Sequence, residues 1–269
     1  MNDKTTQILL TNDDSIHSPG LWAAAETLDT LGFVHVVAPR DQQTSTGRSM
    51  PIDSSGIIEE LTLHVNGKDW QVFAVDASPG QSVLHGIFDV IKRKPDIVVS
   101  GINYGENVGS GITISGTVGA ALEAASLGIP ALAVSLQTRQ EHHFSLSQDI
   151  DFSSAGYFTQ LIAQKMLANP LPFDVDVIKI DIPQDATPET PWVLTRQSRQ
   201  RYYVPKPSKR SAVSDRGPVG YEIRYNPDDL EEGSDLYALL IEKKVSVTPI
   251  SIDMTSRTDF GSLKVIFSD

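Results

Sequence analysis

The sequence predicts an α/β protein built on a doubly wound, mostly parallel sheet, and three observations carry that prediction. Apolar runs such as Ile8-Leu9-Leu10, Ile97-Val98-Val99 and Ala131-Leu132-Ala133-Val134 show no polar alternation, as strands covered on both faces require. Segments with helical apolar spacing fall between these runs, the order expected of crossover units. Polar stretches follow several of the runs, at the strand ends where open α/β sheets bind their ligands.

The elements follow in order. Ile8-Leu9-Leu10 is the first strand. Leu21, Ala24, Ala25, Leu28 and Leu31 then space a helix that opens at Pro19-Gly20 and stops at Gly32. Val34-His35-Val36-Val37 is a second strand, and residues 61–65 and 70–75 flank Asn66-Gly67, a hairpin signal. Pro79-Gly80 opens a helix carrying Val83, Leu84, Ile87 and Ile91, and Asp96-Ile97-Val98-Val99 returns to strand. A glycine-rich loop is expected over residues 100–116, then a small-residue helix with Val118, Ala121, Leu122 and Ala125, ended by Gly128-Ile129-Pro130. After the strand Ala131-Leu132-Ala133-Val134, residues 152–167 form a helix capped by Ser153 or Ser154, and Val177-Ile178-Lys179-Ile180 is a further strand. Beyond residue 184 the pattern becomes extended, with prolines, Tyr202-Tyr203, a basic stretch over 206–216 and the late strand Val245-Ser246-Val247-Thr248. Residues 1–183 are therefore read as the core, and 184–269 as a segment that packs on it or on a second subunit rather than as an independent domain.

Composition bounds the function. The net charge of −12, from 22 basic and 34 acidic residues, argues against a nucleic-acid duplex or an anionic membrane as partner. It leaves room for a small anionic substrate, because a bound cation and a helix start make one pocket locally positive. The absence of cysteine excludes disulfides, thiolate zinc sites and a cysteine nucleophile. No run is long enough to span a bilayer, and Met1-Asn2-Asp3-Lys4 leads into the first strand without a signal-peptide pattern, so a cytoplasmic protein is expected.

The chemistry begins at Thr11-Asn12-Asp13-Asp14. Adjacent carboxylates at a strand end repel, and a hard cation with oxygen ligands relieves that repulsion. The plainer alternative is a helix cap or turn, and the two weigh evenly until other segments are considered. The second strand runs into Arg40-Asp41-Gln42-Gln43-Thr44-Ser45-Thr46-Gly47, whose hydroxyls suit a cation or a phosphate, although alone it reads as an ordinary surface loop. In the loop over 100–116, Asn103 offers a neutral oxygen just beyond the strand, and Gly101 and Asn107 are candidates for phosphate contact. Ser115-Gly116-Thr117 opens the small-residue helix, where backbone N–H groups and the helix dipole form a phosphate cradle; Ser and Thr are also ordinary caps there. His17 lies near the Asp pair and is more often structural than a proton donor, and His142-His143 reads as solvated. No dinucleotide glycine fingerprint, P-loop or Gly-x-Ser-x-Gly elbow is present.

Residues 8–20, 100–109 and 115–121 closely resemble the survival protein SurE family of metal-dependent nucleotidases. Ala38-Pro39, Val75-Asp76-Ala77-Ser78-Pro79 and Val245-Ser246-Val247-Thr248-Pro249 agree as well, so the resemblance covers most of the chain and is stronger in the core than in the tail. It implies a Rossmann-like core with an extended C-terminal β-rich arm, one divalent metal ion (Mg²⁺ or Mn²⁺), and hydrolysis of nucleoside monophosphates. It also implies a homodimer or homotetramer joined through that arm. The family's ligands carry over to Asp13, Asp14 and Asn103, which are also the catalytic candidates. Thr44 stands where the family has serine, with Ser45 as the alternative. Two further departures are Arg40, in place of an acidic residue, and Ile180-Asp181-Ile182-Pro183, where Asp181 would alter base or ribose preference if it touched the nucleoside. Three rival readings remain at this point. A covalent aspartyl-phosphate phosphatase lacks its Asp-x-Asp spacing. The other two are a phosphatase of a non-nucleotide ester and a nucleotide-binding regulator without turnover.

Overall fold

The computed structural model describes residues 5–268; the expectation for Met1-Asn2-Asp3-Lys4 lies outside them. The strands are β1 (Gln7–Thr11), β2 (Phe33–Pro39), β3 (Ile58–Val65), β4 (Lys68–Val75), β5 (Ile97–Tyr104), β6 (Ala131–Leu136), β7 (Val177–Ile182), β8 (Trp192–Leu194), β9 (Tyr203–Lys206), β10 (Gly220–Ile223) and β11 (Val245–Ile250). The helices are α1 (Pro19–Leu28), α2 (Pro79–His85), α3 (Gly116–Ser126), α4 (Ser153–Ala168), α5 (Asp235–Leu240) and α6 (Phe260–Phe267).

Nine strands share one sheet in the order β3-β4-β2-β1-β5-β6-β7-β11-β8. From β4 to β7 all neighbours are parallel, while β3 pairs antiparallel with β4 and β11 antiparallel with β7. The strand order reverses at β1, so the carboxyl ends of β1, β2 and β5 open on one crevice. The alternation inside β1 explains the layering. Ile8 and Leu10 join Leu21, Trp22 and Phe158 on the α1–α4 face, and Leu9 joins Val83 and Val118 on the α2–α3 face. Each such buried side chain contributes about 1.5–3 kcal/mol.

Three local expectations are corrected. The loop expected over 100–116 begins later, because β5 runs through Tyr104 and carries one extra residue between Ser100 and Asn103 against β6. A β-bulge of this kind re-aims the following side chain, here Asn103. The helix expected from Pro79 to Ile91 ends at His85 and passes into a π-helical turn, Gly86–Ile91. Neither Ser153 nor Ser154 caps α4: the Asp151 carboxylate accepts the Ser153 N–H at 2.8 Å, and Ser154 Oγ instead donates to the Ala186 carbonyl.

The C-terminal segment is woven into this core. Strands β8 and β11 complete the sheet, and β9 and β10 form a separate antiparallel ribbon. Leu236, Leu239 and Leu240 of α5 pack with Val108, Tyr202 and Leu230 in a small cluster of their own. Helix α6 has no buried residue. Among the described residues no helix is long and apolar enough to cross a membrane.

Candidate active site

The turn after β1 fixes the site. Asn12 Nδ2 donates to the Ser15 carbonyl at 2.9 Å, and Ser15 takes a positive φ of 93°, so the chain bends sharply and turns both aspartates inward. Asp13 and Asp14 are 2% and 1% exposed. Thr117 Oγ1 donates to Asp13 Oδ1 at 2.6 Å. Gln42 Nε2 donates to Asp14 Oδ1 at 2.8 Å, and the Tyr104 N–H to Asp14 Oδ2 at 3.0 Å. The pair is thus held by the strand-end loops of β2 and β5 and by the start of α3.

Close packing at α3 is part of the same geometry. A Cβ on Gly116 would lie 2.7 Å from Asp13 Cβ and Oδ2, and one on Gly119 would lie 2.3 Å from the Gly47 carbonyl oxygen. Ser115 caps the helix, its Oγ accepting the Val118 N–H at 3.1 Å.

Two buried carboxylates side by side are costly to ionise. Burial pushes Asp13 up to about 6, and burial followed by the Asp13 charge pushes Asp14 well above the ordinary carboxylate range. Neutral oxygens gather nearby. Thr44 Oγ1 is buried with no hydrogen-bond partner among the described residues. Asn103 spends its amide N–H groups on the Gly105 and Tyr104 carbonyls, at 2.6 and 3.3 Å, which leaves Oδ1 for the cavity. No cluster of three His, Cys, Asp or Glu side chains suited to a metal occurs among the described residues. The donor set here is two carboxylates with a hydroxyl and an amide oxygen, which fits a hard cation such as Mg²⁺ or Mn²⁺ rather than zinc.

These carboxyls give the fold a pH dependence of a particular sign. Their raised values mean that the folded state binds more protons than the unfolded chain above about pH 4, so stability falls as pH rises toward the Asp13 value of about 6, and the raised Asp14 extends the fall. In EDTA, the melting temperature is expected to drop between about pH 5 and pH 8, and an excess of Mn²⁺ should reverse the slope by binding the ionised pair. Differential scanning fluorimetry with and without the cation checks this.

A cavity of about 230 Å³ opens over the pair. Asp13, Thr44, Ser45, Asn103, Asn107 and Ser115 all line it. Asp14 sits behind this wall, and Gly116 backs Asp13. Thr117, expected to hold phosphate through its hydroxyl, spends that hydroxyl on Asp13. Gly101 lies within β5, where a Cβ would meet the Val134 carbonyl oxygen at 2.4 Å, so it serves strand packing rather than the cavity wall. His17 is exposed. A larger groove of about 570 Å³ lies elsewhere, lined by Phe88, Lys92, Arg93, Lys94 and Leu127 without any carboxylate.

Two further expectations are corrected. His143 is not solvated: it is 5% exposed, lines the cavity and hydrogen-bonds through Nδ1 with the Tyr221 hydroxyl at 2.8 Å. Burial lowers its pKa, which keeps the ring neutral at neutral pH. Asp181 does not face the cavity. It is fully buried in an ion pair with Lys179 and accepts the Asn107 N–H at 2.7 Å. Lys179 also pairs with Asp235 at 3.3 Å, and Asp235 accepts the Gly109 N–H at 3.1 Å.

One further participant comes from a segment whose local composition does not mark it: Gln42 belongs to the polar loop after β2. Lys179 and Asp181 carried a usable signal, because charges two residues apart in an otherwise apolar strand share one buried face. Glu106, Tyr203 and Tyr221 also line the cavity. Burial raises Glu106 to about 7; Tyr202 donates its hydroxyl to Oε1, and Oε2 has no partner among the described residues.

Fold and cavity together define a Rossmann-like α/β protein with a buried carboxylate pair beside a helix start. The family model for survival protein SurE matches residues 8–204. The chain is 40% identical to 5'-nucleotidase SurE of Thermococcus gammatolerans, covering 98% of this chain and 97% of that protein. It is 42% identical to 5'-nucleotidase SurE of Archaeoglobus fulgidus, over 94% of each. The crystal structure of the SurE protein from Aquifex aeolicus superposes with a TM-score of 0.75 at 31% identity, covering 97% of this chain and all of that one. The chain belongs to the survival protein SurE family.

Proposed function

We propose that this protein is a divalent-metal-dependent phosphomonoesterase that hydrolyses nucleoside monophosphates to nucleoside and phosphate, as a 5′-nucleotidase. The observation that carries the reading is the buried Asp13–Asp14 pair, with Asp13 on the wall of a cavity that Thr44, whose hydroxyl is unpartnered, also lines beside the start of α3. Asp13, Asp14, Asn103 and Thr44 would hold Mg²⁺ or Mn²⁺, and Thr44 is favoured over Ser45 because its hydroxyl is the buried and unpartnered one. A bound cation supplies charge for the phosphoryl oxygens and lowers the pKa of water. Ser115 and Asn107, which line the cavity, and the N–H of Gly116 at the helix start would hold the phosphate, where helix N–H groups stabilise negative charge. Asp13 orients the attacking water. As water adds to phosphorus the P–O bond to the nucleoside breaks, and the leaving oxygen takes up the proton that the water gives up.

The test is phosphate release from a panel of nucleoside 5′- and 3′-monophosphates with Mg²⁺, Mn²⁺ or EDTA. Cation-dependent release supports the reading. Release only from non-nucleotide esters, or tight nucleotide binding without release, would replace it by one of its rivals. Thr44→Ser is expected to keep activity, whereas Thr44→Val, which retains the shape and deletes the hydroxyl, should weaken the apparent cation affinity roughly tenfold. A cation titration of activity checks that.

The C-terminal arm is proposed to join copies into a homodimer or homotetramer. Exposed Phe260, Val265, Ile266 and Phe267 on α6 support this, and sedimentation with and without residues 257–269 tests it. The cytoplasmic setting expected from the sequence goes with the same reading.

A further inference from the structure

Glu106 is a buried acid whose free oxygen the phosphate chemistry leaves unused. Its residue is 1% exposed, it lines the cavity, and Oε2 has no hydrogen-bond partner among the described residues. A buried polar oxygen left open costs free energy unless a partner arrives. The other unpartnered ring atom nearby, His143 Nε2, lies against the backbone at Gly105, where a Cβ would approach it to 2.6 Å.

The position of Glu106 indicates what that partner is. It follows the cation-ligand candidate Asn103 by three residues and precedes Asn107 on the same loop. It is also the point where the core meets the aromatic ribbon. Tyr202 donates its hydroxyl to Glu106 Oε1, and Tyr203 of β9 donates to the Glu106 carbonyl at 2.8 Å. Tyr203 and Tyr221 then continue the cavity wall, their rings edge to face at 5.3 Å. One end of the cavity is thus set for phosphate and the other is aromatic, as a base requires. A nucleotide that spans the two would place its sugar between them, along the wall that Glu106 lines.

We infer that Glu106 is a specificity-determining residue whose free side-chain oxygen hydrogen-bonds the ribose hydroxyls of the substrate. The inference rests on the nucleotidase reading above. An acidic side chain on a ribose hydroxyl is a recurrent device in Rossmann-type sites. Here the Tyr202 hydroxyl fixes the carboxyl group so that only one oxygen is available.

The experiment measures kcat/KM for adenosine 5′-monophosphate and its 2′-deoxy and 2′,3′-dideoxy forms, in wild type, Glu106→Ala and Glu106→Gln, with the activating cation. Wild type should favour the ribonucleotide over the dideoxynucleotide by about tenfold or more. In Glu106→Ala that ratio should fall to within about twofold, since the group that distinguishes the sugars is gone. Glu106→Gln keeps the volume and a carbonyl acceptor for Tyr202, and its amide N–H can still donate to a ribose hydroxyl, so it should keep a preference for the ribonucleotide that alanine loses. Equal kcat/KM on the three substrates in wild type, or an unchanged ratio in folded Glu106→Ala, overturns the inference and leaves the nucleotidase reading standing. Absence of release from any nucleotide by wild type overturns both.

Discussion

Asp13→Asn is expected to abolish phosphate release, lowering kcat/KM by roughly a thousandfold or more. The substitution keeps size and shape and removes one negative charge from the pair proposed to hold the cation. Its effect on stability should run the other way. Asp13 is pushed up to about 6 by burial, against an ordinary value of 3.8, so ionising it at neutral pH opposes folding. Removing that ionisation returns roughly 1–3 kcal/mol to the cation-free protein, less whatever an amide loses against the N–H groups at the start of α3. In EDTA at about pH 8, the variant should therefore melt no lower than wild type, and its fall in melting temperature with rising pH should flatten. Added Mn²⁺ should raise the melting temperature of wild type and leave the variant unmoved. A variant that is inactive because it is misfolded would melt early in EDTA, which separates the two explanations.

Lys179→Met should give the largest stability loss. Lys179 is fully buried and neutralises both Asp181 and Asp235. Burial opposes its charge, but the two carboxylates outweigh burial and hold the ammonium group protonated. Methionine fills much of the same space and leaves two carboxylates without their counter-charge. Breaking a buried pair in this way costs about 3–5 kcal/mol, which lowers the melting temperature by roughly 10 °C for a chain of this size. Activity should fall as well, because the two aspartates accept the N–H groups of Asn107 and Gly109 and so fix the loop beside the cavity. Partial restoration of stability by Asp181→Asn in the Lys179→Met background would tie the loss to uncompensated charge; a further loss would point to packing instead. Thermal melts and kcat/KM of the single and double variants supply the readout.

Much of the sheet was legible in the sequence because buried parallel strands write themselves as unbroken apolar runs. Ile8-Leu9-Leu10 and Ala131-Leu132-Ala133-Val134 are such runs, and Asn66-Gly67 closes the hairpin between β3 and β4 where its chemistry requires. Residues 100–104 were less legible. Glycine, asparagine and serine there read as loop, yet the pairing of Asn103 and Tyr104 with β6 holds them in strand, a tertiary effect that local composition does not carry. Asp13, Asp14 and Asn103 stood out because polar residues followed strand ends. Glu106 and His143 did not, since their meaning depends on burial and on partners 50 or more residues away, such as Tyr202 and Tyr221. His143 shows this most clearly. A polar neighbourhood in sequence suggested solvent, while the ribbon of β9 and β10 folds over it.

The two glycines of α3 carry a consequence for how this gene tolerates change. Gly116 abuts the Asp13 carboxylate and Gly119 the backbone at Gly47, so even a methyl group at either position must displace a main chain or a ligand candidate. In a saturation library selected for activity, both positions should therefore be as depleted of substitutions as Asp13 itself, although neither glycine has a side chain to contribute. Neighbouring Leu122 is only partly buried and should accept other apolar residues. Invariance at this site would thus map empty space as strictly as it maps charge.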